Sequence, residues 1–187
     1  MKPSLLLHSC CAPCSTTALR RLAESYSITI YYYNPNIDTI IEHDRRHTEL
    51  AKLHALGIPF SIVTEPYSPK DYDAAVRGLE KLGEGSMRCH KCYSLRLEKT
   101  AQYATTHGFS AFTTTLSVSP HKNAAWLNEI GAKLAESYKV PYLSLDLKKQ
   151  NGYTQSLATS AQLSLYRQSY CGCRYSLSES LARQKAK

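Results

Sequence analysis

Short apolar runs alternate with longer amphipathic stretches along most of this chain of 187 residues. The apolar runs predict strands at 5–8, 28–33, 58–63, 111–116 and 140–145, and the run at 28–33 is rich in β-branched and aromatic residues. The other stretches predict helices at 15–24 with Ser15 as N-cap, about 38–56, 69–81, up to about 106, from 119 to about 138, 154–165 and from about 176. Because alternating strands and helices build parallel sheets, we expect an α/β fold, a mostly parallel sheet with helices on both faces.

The size of the chain indicates one hydrophobic core. With 187 residues and 43% hydrophobic content, the chain is long enough to bury one core and short for two. We therefore expect a single domain over residues 1–187, with the sheet in about 1–146 and a helical C-terminal segment in about 147–187.

Basic residues outnumber acidic ones, with 23 Lys and Arg against 15 Asp and Glu, and the formal net charge is +8. This balance favours an anionic partner such as a nucleic acid, although charge alone does not identify the anion. The sequence shows no run of about 18 to 20 apolar residues and no recognisable signal peptide in its first residues. We expect a cytoplasmic protein that does not bind membranes.

The seven cysteines fall into three tight groups, and none stands alone. The groups are Cys10-Cys11-x-x-Cys14, Cys89-x-x-Cys92 and Cys171-x-Cys173. In a reducing cytosol, cysteines clustered in this way more often bind a metal or cycle during catalysis than form structural disulfides. The first group follows the predicted strand 5–8, at the edge where open α/β sheets gather their functional residues. We therefore expect a metal or redox site at that edge.

The cysteine spacing indicates which metals and redox groups the thiols suit, but it leaves more than one of them open. Four thiolates suit either tetrahedral zinc or a [4Fe-4S] cluster. The vicinal Cys10 and Cys11 favour iron and sulfur, because structural zinc sites usually draw on two Cys-x-x-Cys turns. Cys171 and Cys173 flank one glycine, so they suit a small, strained, easily reduced disulfide, or two further metal ligands. Cys14 lies beside a predicted helix N-terminus, which favours the thiolate form.

Five stretches of the sequence resemble a known family, and their order and joint presence argue against chance. They are Leu7-His8-Ser9-Cys10-Cys11-Ala12-Pro13-Cys14-Ser15, Tyr33-Asn34-Pro35-Asn36-Ile37, Arg88-Cys89-x-x-Cys92-Tyr93-x-x-Arg96-Leu97, Phe112-Thr113-Thr114-Thr115-Leu116-x-x-Ser119-Pro120 and Leu165-Tyr166-Arg167-Gln168-x-Tyr170-Cys171-Gly172-Cys173-x-x-Ser176. The sequence resembles the QueH-type epoxyqueuosine reductases, and the resemblance covers nearly the whole chain.

The resemblance implies the fold and the reaction of that family. The fold is similar to the Rossmann-like sheet of the adenine-nucleotide hydrolase group, the HUP type, without a need for ATP. Members reduce the epoxide of epoxyqueuosine at the tRNA wobble position to the cyclopentene of queuosine, with loss of water and without cobalamin. This is the last step of queuosine biosynthesis. The implied partners are the tRNAs for Tyr, His, Asp and Asn, and an electron donor that the sequence does not identify.

The resemblance also implies roles for the cysteines. Carried over by position, four of them would hold a [4Fe-4S] cluster, namely Cys10, Cys11, Cys89 and Cys92. Cys171 and Cys173 would form a redox-active disulfide. Some members of the family have Asp at the position of Cys14, and either side chain would serve as an auxiliary ligand or bind a second, mononuclear iron.

Basic residues flank the cysteine groups and are candidates for tRNA contacts. Proteins bind a single-stranded anticodon loop by stacking bases on aromatic rings and by placing Arg and Lys on phosphates. The candidates are Arg88, Lys91, Arg96, Arg167 and Arg174. Ordinary surface solvation is the alternative for each of them. The sequence does not single out a proton donor, although His8, Tyr33, Asp38 and Tyr170 lie in or next to the quoted stretches.

Two other functions remain as alternatives. The first is a zinc-stabilised tRNA-binding module without redox activity, in which the cysteines form one or two structural sites. The second is a tRNA thiolation enzyme on a related ATP-using scaffold. The turn after the first strand argues against the second, because Cys10 to Cys14 stand where a serine- and glycine-rich pyrophosphate loop would be expected.

Overall fold

The sheet of the protein has four parallel strands. In the computed structural model, which describes residues 1–185, the strands are β1 (Ser4–His8), β2 (Ser27–Tyr32), β3 (Phe60–Thr64) and β4 (Ala111–Thr114), in the order β3-β2-β1-β4. The predicted parallel α/β fold is confirmed. Because β1 pairs with β2 on one side and β4 on the other, the direction of winding reverses beside β1, where sheets of this kind bind their ligands.

Within residues 1–185, seven α-helices and two short 3₁₀ helices connect and follow the strands. The α-helices are α1 (Ala12–Leu22), α2 (Ile40–Thr48), α3 (Pro69–Ala75), α4 (Met87–Thr106), α5 (Ala124–Tyr138), α6 (Gly152–Gln162) and α7 (Arg174–Lys185), and the 3₁₀ helices are Glu49–Leu56 and Thr115–Val118. Side chains of β1 alternate between the two faces of the sheet. Leu5 and Leu7 pack with Leu19 of α1, whereas Leu6 packs with Ala104 of α4. Helices therefore cover both faces of the sheet.

The prediction of a fifth strand at 140–145 is wrong. Only Tyr142 forms a bridge, to Phe112 of β4. The neighbouring backbone groups are taken by side chains, because Thr113 Oγ1 donates to the carbonyl of Leu143 at 2.9 Å, and Leu145 N donates to Asn128 Oδ1 at 3.2 Å. A ladder therefore does not extend along this segment.

Helix α1 begins three residues earlier than predicted. Cys11, not Ser15, is the N-cap, and Pro13 lies in the first turn, where a missing N–H costs nothing. Ser15 is buried, and its hydroxyl donates to the carbonyl oxygen of Cys11 at 3.0 Å. As a result Cys14 lies within the first turn of α1 rather than ahead of it.

Three other helices differ from their predicted bounds by more than three residues or by helix type. The predicted helix 38–56 is α2 followed by the 3₁₀ helix Glu49–Leu56. The predicted helix 69–81 ends at Ala75, shortly before Gly78 with a φ of 80°, a value that L residues rarely adopt. The predicted helix from 119 begins at Ala124, where the side chain of Asn123 caps it by accepting from Trp126 N at 3.2 Å.

The C-terminal segment is tied to the sheet domain at its cysteine edge. Thr17 Oγ1 of α1 donates to the carbonyl oxygen of Gly152 at 2.8 Å, and Ser156 Oγ of α6 donates to the carbonyl oxygen of Pro13 at 2.7 Å. Helix α7 is joined to the start of α4 by an ion pair of 2.9 Å between Arg88 and Glu179. Within residues 1–185, the helices all fall short of the length and apolar character that crossing a membrane requires.

Candidate metal and redox site

A cavity of about 580 Å³ opens at the carboxyl edge of the sheet, between β1 and β4. Cys10, Cys11 and Cys14 line it from the end of β1 and the start of α1. The segment after β4 contributes its own side chains, with Lys122 deepest in the wall. The C-terminal segment closes the third side and brings Cys171 into the lining. The cavity therefore joins thiols that are far apart in the sequence.

Three thiols of the first group lie together. The ligand atoms of Cys10, Cys11 and Cys14 are all within 4.8 Å of one another, and the Sγ atoms of Cys10 and Cys11 are 3.7 Å apart. The extended backbone of Cys11 and the first turn of α1 bring this arrangement about, because Cys14 follows Cys11 by three residues on a helix. In the part of the chain that the structure describes, this is the one group of three or more metal-ligating side chains at such distances.

Hydrogen bonding within this triad favours one thiolate. Hydrogen bonds from Cys10 and Cys14 hold the pKa of the Cys11 thiol well below its ordinary value. The pKa values of Cys10 and Cys14 are raised, mainly by those same hydrogen bonds. Because metals bind the thiolate and release the proton, a triad that already favours one thiolate is suited to soft metal ions.

Cys89 and Cys92 lie on helix α4, not on a turn ahead of it. Ser86 caps α4 by accepting from Arg88 N at 3.3 Å, so both cysteines fall in the first two turns. Cys89 packs against the group that contains Cys10 and Cys11, whereas Cys92 packs with Cys173. Burial raises the pKa of Cys92 to about 12 and also raises the pKa of Cys89. The pair therefore lies between the cysteine triad and the C-terminal cysteines.

The Cys171-Gly172-Cys173 segment is held against the turn that follows β2. The carbonyl of Gly172 accepts from Asp38 N at 2.9 Å, and the carbonyl of Cys171 accepts from Arg46 Nη1 at 2.9 Å. Gly172 has a φ of 131°, and a Cβ there would lie 3.0 Å from Arg46 Nη1. Only glycine fits this close approach without strain. Cys171 and Cys173 are both free thiols in this structure.

Buried cations surround the thiols, and sequence reasoning missed their role. Lys122 Nζ donates to Cys171 Sγ at 2.9 Å, while Arg46 and Arg96 are almost fully buried nearby. Burial acts to lower the pKa values of these three cations, but neighbouring thiolates outweigh it and the net shift is upward for each. Arg46 belongs to the charged stretch 38–56, and a helix with so many charges usually presents them to solvent. The burial of Arg46 has no signal in the sequence, and Lys122 is marked only by its place after Ser119-Pro120-His121.

The five basic residues predicted to contact tRNA have different surroundings. Arg88 and Arg96 are only 2% and 1% exposed. Arg88 bonds to Glu179 and to two backbone carbonyls, so neither arginine presents its charge at the surface. Lys91, Arg167 and Arg174 are exposed. Arg167 also lines the cavity.

The four side chains considered as proton donors are occupied by other contacts. His8 is buried between Thr114 Oγ1, at 2.9 Å, and the carbonyl of Tyr33, at 3.2 Å, and burial lowers its pKa to about 3. The neutral ring of His8 therefore joins β1 to β4. Tyr170 lines the cavity and donates to Asp38 Oδ1 at 2.9 Å.

The comparison with protein-family models decides the family. The model described as "Epoxyqueuosine reductase QueH" matches residues 5–179. The chain belongs to the QueH family. Members of this family are oxidoreductases by name. A relative named epoxyqueuosine reductase QueH from Streptococcus pyogenes is 41% identical, over 94% of this chain and 71% of its own length. A second, from Thermotoga maritima, is 35% identical, over 94% of this chain and 91% of its own length.

Solved structures share the fold at low sequence identity. The U34-tRNA thiolase NcsA from Methanococcus maripaludis, described with its [4Fe-4S] cluster, has a TM-score of 0.54 and 16% identity, over 100% of this chain and 67% of its own. A predicted subunit of tRNA methyltransferase from Methanocaldococcus jannaschii has a TM-score of 0.54 and 15% identity, over 86% of this chain and 75% of its own. At these identities the likeness concerns the fold alone.

The donor set in this QueH family member fits an iron–sulfur cluster. Thiolates are the ligands that such clusters use, and the cavity edge presents three of them with Cys89 packed alongside. A cluster with four thiolate ligands carries net negative charge. Among the described residues, Arg46 Nη2 and Arg96 Nη2 are buried without a hydrogen-bond partner, and with Lys122 they provide the positive surroundings that such a group requires.

Proposed function

We propose that this protein reduces the epoxide of epoxyqueuosine in tRNA to the cyclopentene of queuosine, the last step of queuosine biosynthesis, in the cytoplasm. The reaction takes up two electrons and two protons, forms a carbon–carbon double bond and releases the epoxide oxygen as water. The observation that carries the proposal is the thiol-lined cavity at the carboxyl edge of the sheet, in a chain that the QueH family model matches over residues 5–179.

The [4Fe-4S] cluster of this proposal is held by Cys10, Cys11, Cys89 and Cys92. Cys14 lies with the first two in the structure, which supports a role as an auxiliary ligand or as a ligand of a second, mononuclear iron. When bound, iron at this site would supply electrons and a Lewis acid for the epoxide oxygen. No cobalamin takes part in this proposal.

Cys171 and Cys173 form the second redox component. As a dithiol they hold two electrons, the number that the reduction of one epoxide needs, and they become a disulfide when they release them. Their segment is fixed at the cavity by Arg46 and Asp38, and Cys171 faces the cavity directly. An external electron donor then restores the dithiol.

The tRNA in this proposal is an acceptor for Tyr, His, Asp or Asn that carries epoxyqueuosine. Its anticodon loop meets the cavity mouth, where Arg167 would contact a phosphate, and the exposed Lys91 and Arg174 would contact phosphates further along the RNA. We leave Arg88 and Arg96 out of this contact set because they are buried. The net charge of +8 supports an anionic partner.

Anaerobic reconstitution tests the proposal. The protein is loaded with iron and sulfide, incubated with epoxyqueuosine-containing tRNA and a low-potential reductant, and the nucleosides are read by mass spectrometry. We expect the modified nucleoside to lose the mass of one oxygen. A Cys11→Ser variant, carried through the same reconstitution, serves as the cluster-deficient control.

Two outcomes would contradict the proposal. A protein that takes up zinc but forms no iron–sulfur chromophore would instead fit the zinc-stabilised tRNA-binding module. A protein with full cluster absorption that leaves the epoxide intact, with several reductants of different potential, would show that the substrate is wrong.

A further inference from the structure

The two thiols of the Cys171-Gly172-Cys173 segment have different surroundings. Cys171 is partly exposed and lines the cavity, whereas Cys173 is 6% exposed and packs behind it with Cys92 and Tyr72. An external reactant entering the cavity therefore meets the sulfur of Cys171 first. The two thiols therefore differ in their access to an external reactant, and we expect them to take different roles in thiol–disulfide exchange.

Lys122 is the polar partner of the accessible sulfur. Its Nζ donates to Cys171 Sγ at 2.9 Å, and the side chain is 8% exposed, so water competes little for the ammonium group. The ring of Tyr93 lies 6.0 Å from Nζ on the other side. The ammonium group therefore places a fixed positive charge beside the sulfur that carries negative charge during thiol–disulfide exchange.

Cys173 has a different source of stabilisation. It directly precedes α7, and its Sγ accepts a hydrogen bond from Ser176 N at 3.4 Å. Ser176 Oγ lies at 3.4 Å from the same sulfur. The free N–H groups and the positive dipole end of a helix favour a negative charge at this place. Cys173 is thus buried but equipped to leave as a thiolate.

We propose that Lys122 is a positioning residue that holds Cys171 as the exchanging thiolate of the pair, and that Cys173 is the resolving thiol. This rests on the proposed function in one respect, since it takes the pair to cycle between dithiol and disulfide. It goes beyond that function by assigning which sulfur meets the external donor, which we take to be a dithiol reductant.

Thiol–disulfide exchange transfers two electrons from the reductant to the Cys171–Cys173 disulfide. A thiolate of the reductant attacks Cys171 Sγ of the disulfide, a mixed disulfide forms, the Cys171–Cys173 bond breaks, and Cys173 leaves with the electron pair. The second thiol of the reductant then loses its proton to solvent and attacks its partner sulfur, and Cys171 leaves as a thiolate against Lys122. The reductant becomes a disulfide, and its two thiol protons have gone to solvent. Solvent returns two protons to Cys171 and Cys173 when the two thiolates become a dithiol.

Other charged groups also face Cys171. Arg96, Tyr93, Cys89 and Cys92 approach from α4, Cys173 from its own segment, and Arg46 from α2, where it bonds to the Cys171 carbonyl. Within the described part of the chain, Lys122 is the cation that donates a hydrogen bond to the sulfur itself. Burial would lower the pKa of Lys122, but the Cys171 thiolate raises it overall. Lys122 therefore stays charged and suits a fixed positive partner better than a proton donor.

Site-resolved alkylation tests this division. The reconstituted protein, reduced beforehand, is treated with iodoacetamide at pH 7, and the rate at each cysteine is read by peptide mass spectrometry. We expect Lys122→Met to slow alkylation of Cys171 about tenfold and to leave the alkylation rate of Cys173 within twofold of the parent. The equilibrium constant for reduction of the disulfide should fall about tenfold, which lowers the midpoint potential by about 30 mV. Lys122→Arg should keep both values close to those of the parent.

Controls separate this role from a structural one. Lys133→Met removes an equally charged but exposed side chain of α5 and should change neither value. Equal Cys171 rates in Lys122→Met and the parent, at unchanged cluster absorption, would overturn the proposal. If Lys122→Met does not fold, single-thiol variants decide the matter with oxidised glutathione as probe.

With that probe, Cys173→Ser, which keeps Cys171, should form a mixed disulfide at least tenfold faster than Cys171→Ser. The reverse order would overturn the assignment. These measurements read thiol chemistry rather than epoxide reduction. A protein that fails on epoxyqueuosine can therefore still pass this test, and an active reductase can still fail it.

Discussion

Arg46 donates a 2.9 Å hydrogen bond to the carbonyl oxygen of Cys171 and so fastens the C-terminal redox segment to helix α2. The same guanidinium pairs with Glu42 at 2.7 Å and lies 5.2 Å from the ring of Tyr170. Because Arg46 is buried, these contacts are made out of water, where a hydrogen bond to a charged group contributes about 1.5–3 kcal/mol. Arg46 is thus a buried polar link between helix α2 and the Cys171-Gly172-Cys173 segment.

Replacing Arg46 should loosen the redox segment locally. In Arg46→Met the carbonyl of Cys171 loses its partner, and we expect amide exchange at Asp38, which donates to the Gly172 carbonyl, to rise about tenfold or more. Hydrogen exchange read by mass spectrometry measures this. Arg20→Met, at an exposed position of α1, is the matched control. Unchanged exchange at Asp38 in Arg46→Met would contradict the fastening role.

Replacing a thiol of the C-terminal pair should separate turnover from iron binding. We expect Cys173→Ser to keep iron and sulfide content within error of the parent and to lose epoxide reduction, because one thiol cannot supply two electrons by forming a disulfide. Iron and sulfide assays with the nucleoside assay measure both. Loss of the iron chromophore in Cys173→Ser would mean that this cysteine is a ligand.

Cys14 should affect iron differently from Cys10. We expect Cys14→Ser to keep the cluster absorption and to lose about one iron per chain, whereas Cys10→Ser loses the cluster itself. Cys14→Asp should restore that iron, since a carboxylate oxygen is also a ligand for iron. Total iron per chain and the visible spectrum distinguish the variants. Identical iron content in Cys14→Ser and the parent would remove Cys14 from the ligand set.

Gly152 should tolerate no side chain. A Cβ at this position would lie 1.8 Å from the carbonyl oxygen of Leu147, a backbone atom that cannot move away cheaply. We expect Gly152→Ala to lower the free energy of unfolding by about 2–4 kcal/mol, measured by urea denaturation. Gly83→Ala, where nothing lies within 4 Å, is the control and should change it by less than about 0.5 kcal/mol.

Binding of tRNA should weaken with salt and with loss of the exposed cations. Each phosphate contact that is removed should lower the slope of log affinity against log salt by about 0.7. We therefore expect the double variant Lys91→Gln, Arg167→Gln to lower the slope by about 1.4, with Lys133→Gln as the control. Fluorescence anisotropy over a salt series measures the slope. An affinity that is independent of salt would contradict the phosphate contacts.

The sheet was predictable from the sequence because its signals are local. Four of the five predicted apolar runs became the strands β1 to β4, and the buried Leu5 to Leu7 shows why a continuous apolar run suits a central strand with helices on both faces. The segment 140–145 has the same apolar character. Its ladder is replaced by hydrogen bonds to Thr113 and Asn128, contacts that no local pattern encodes.

The cysteines of the site were predictable, but their mutual arrangement was not. Close spacing marks Cys10, Cys11 and Cys14, and the structure joins these three because α1 begins at Ala12. The burial of Lys122 and Arg46 could not be predicted, because nothing in the sequence distinguishes them from a Lys or Arg on the surface. Only the tertiary fold takes them out of water.

The cysteines of the candidate site come from residues 10–14, 89–92 and 171–173, and this order affects how the protein is made. At ribosomal rates of about 5–20 residues per second, Cys14 leaves the ribosome roughly ten to thirty seconds before Cys171 does. During that interval β1 also lacks its neighbour β4, so the nascent chain cannot close the sheet edge that holds the triad. The complete set of thiols can therefore come together only after residues 171–173 have been synthesised.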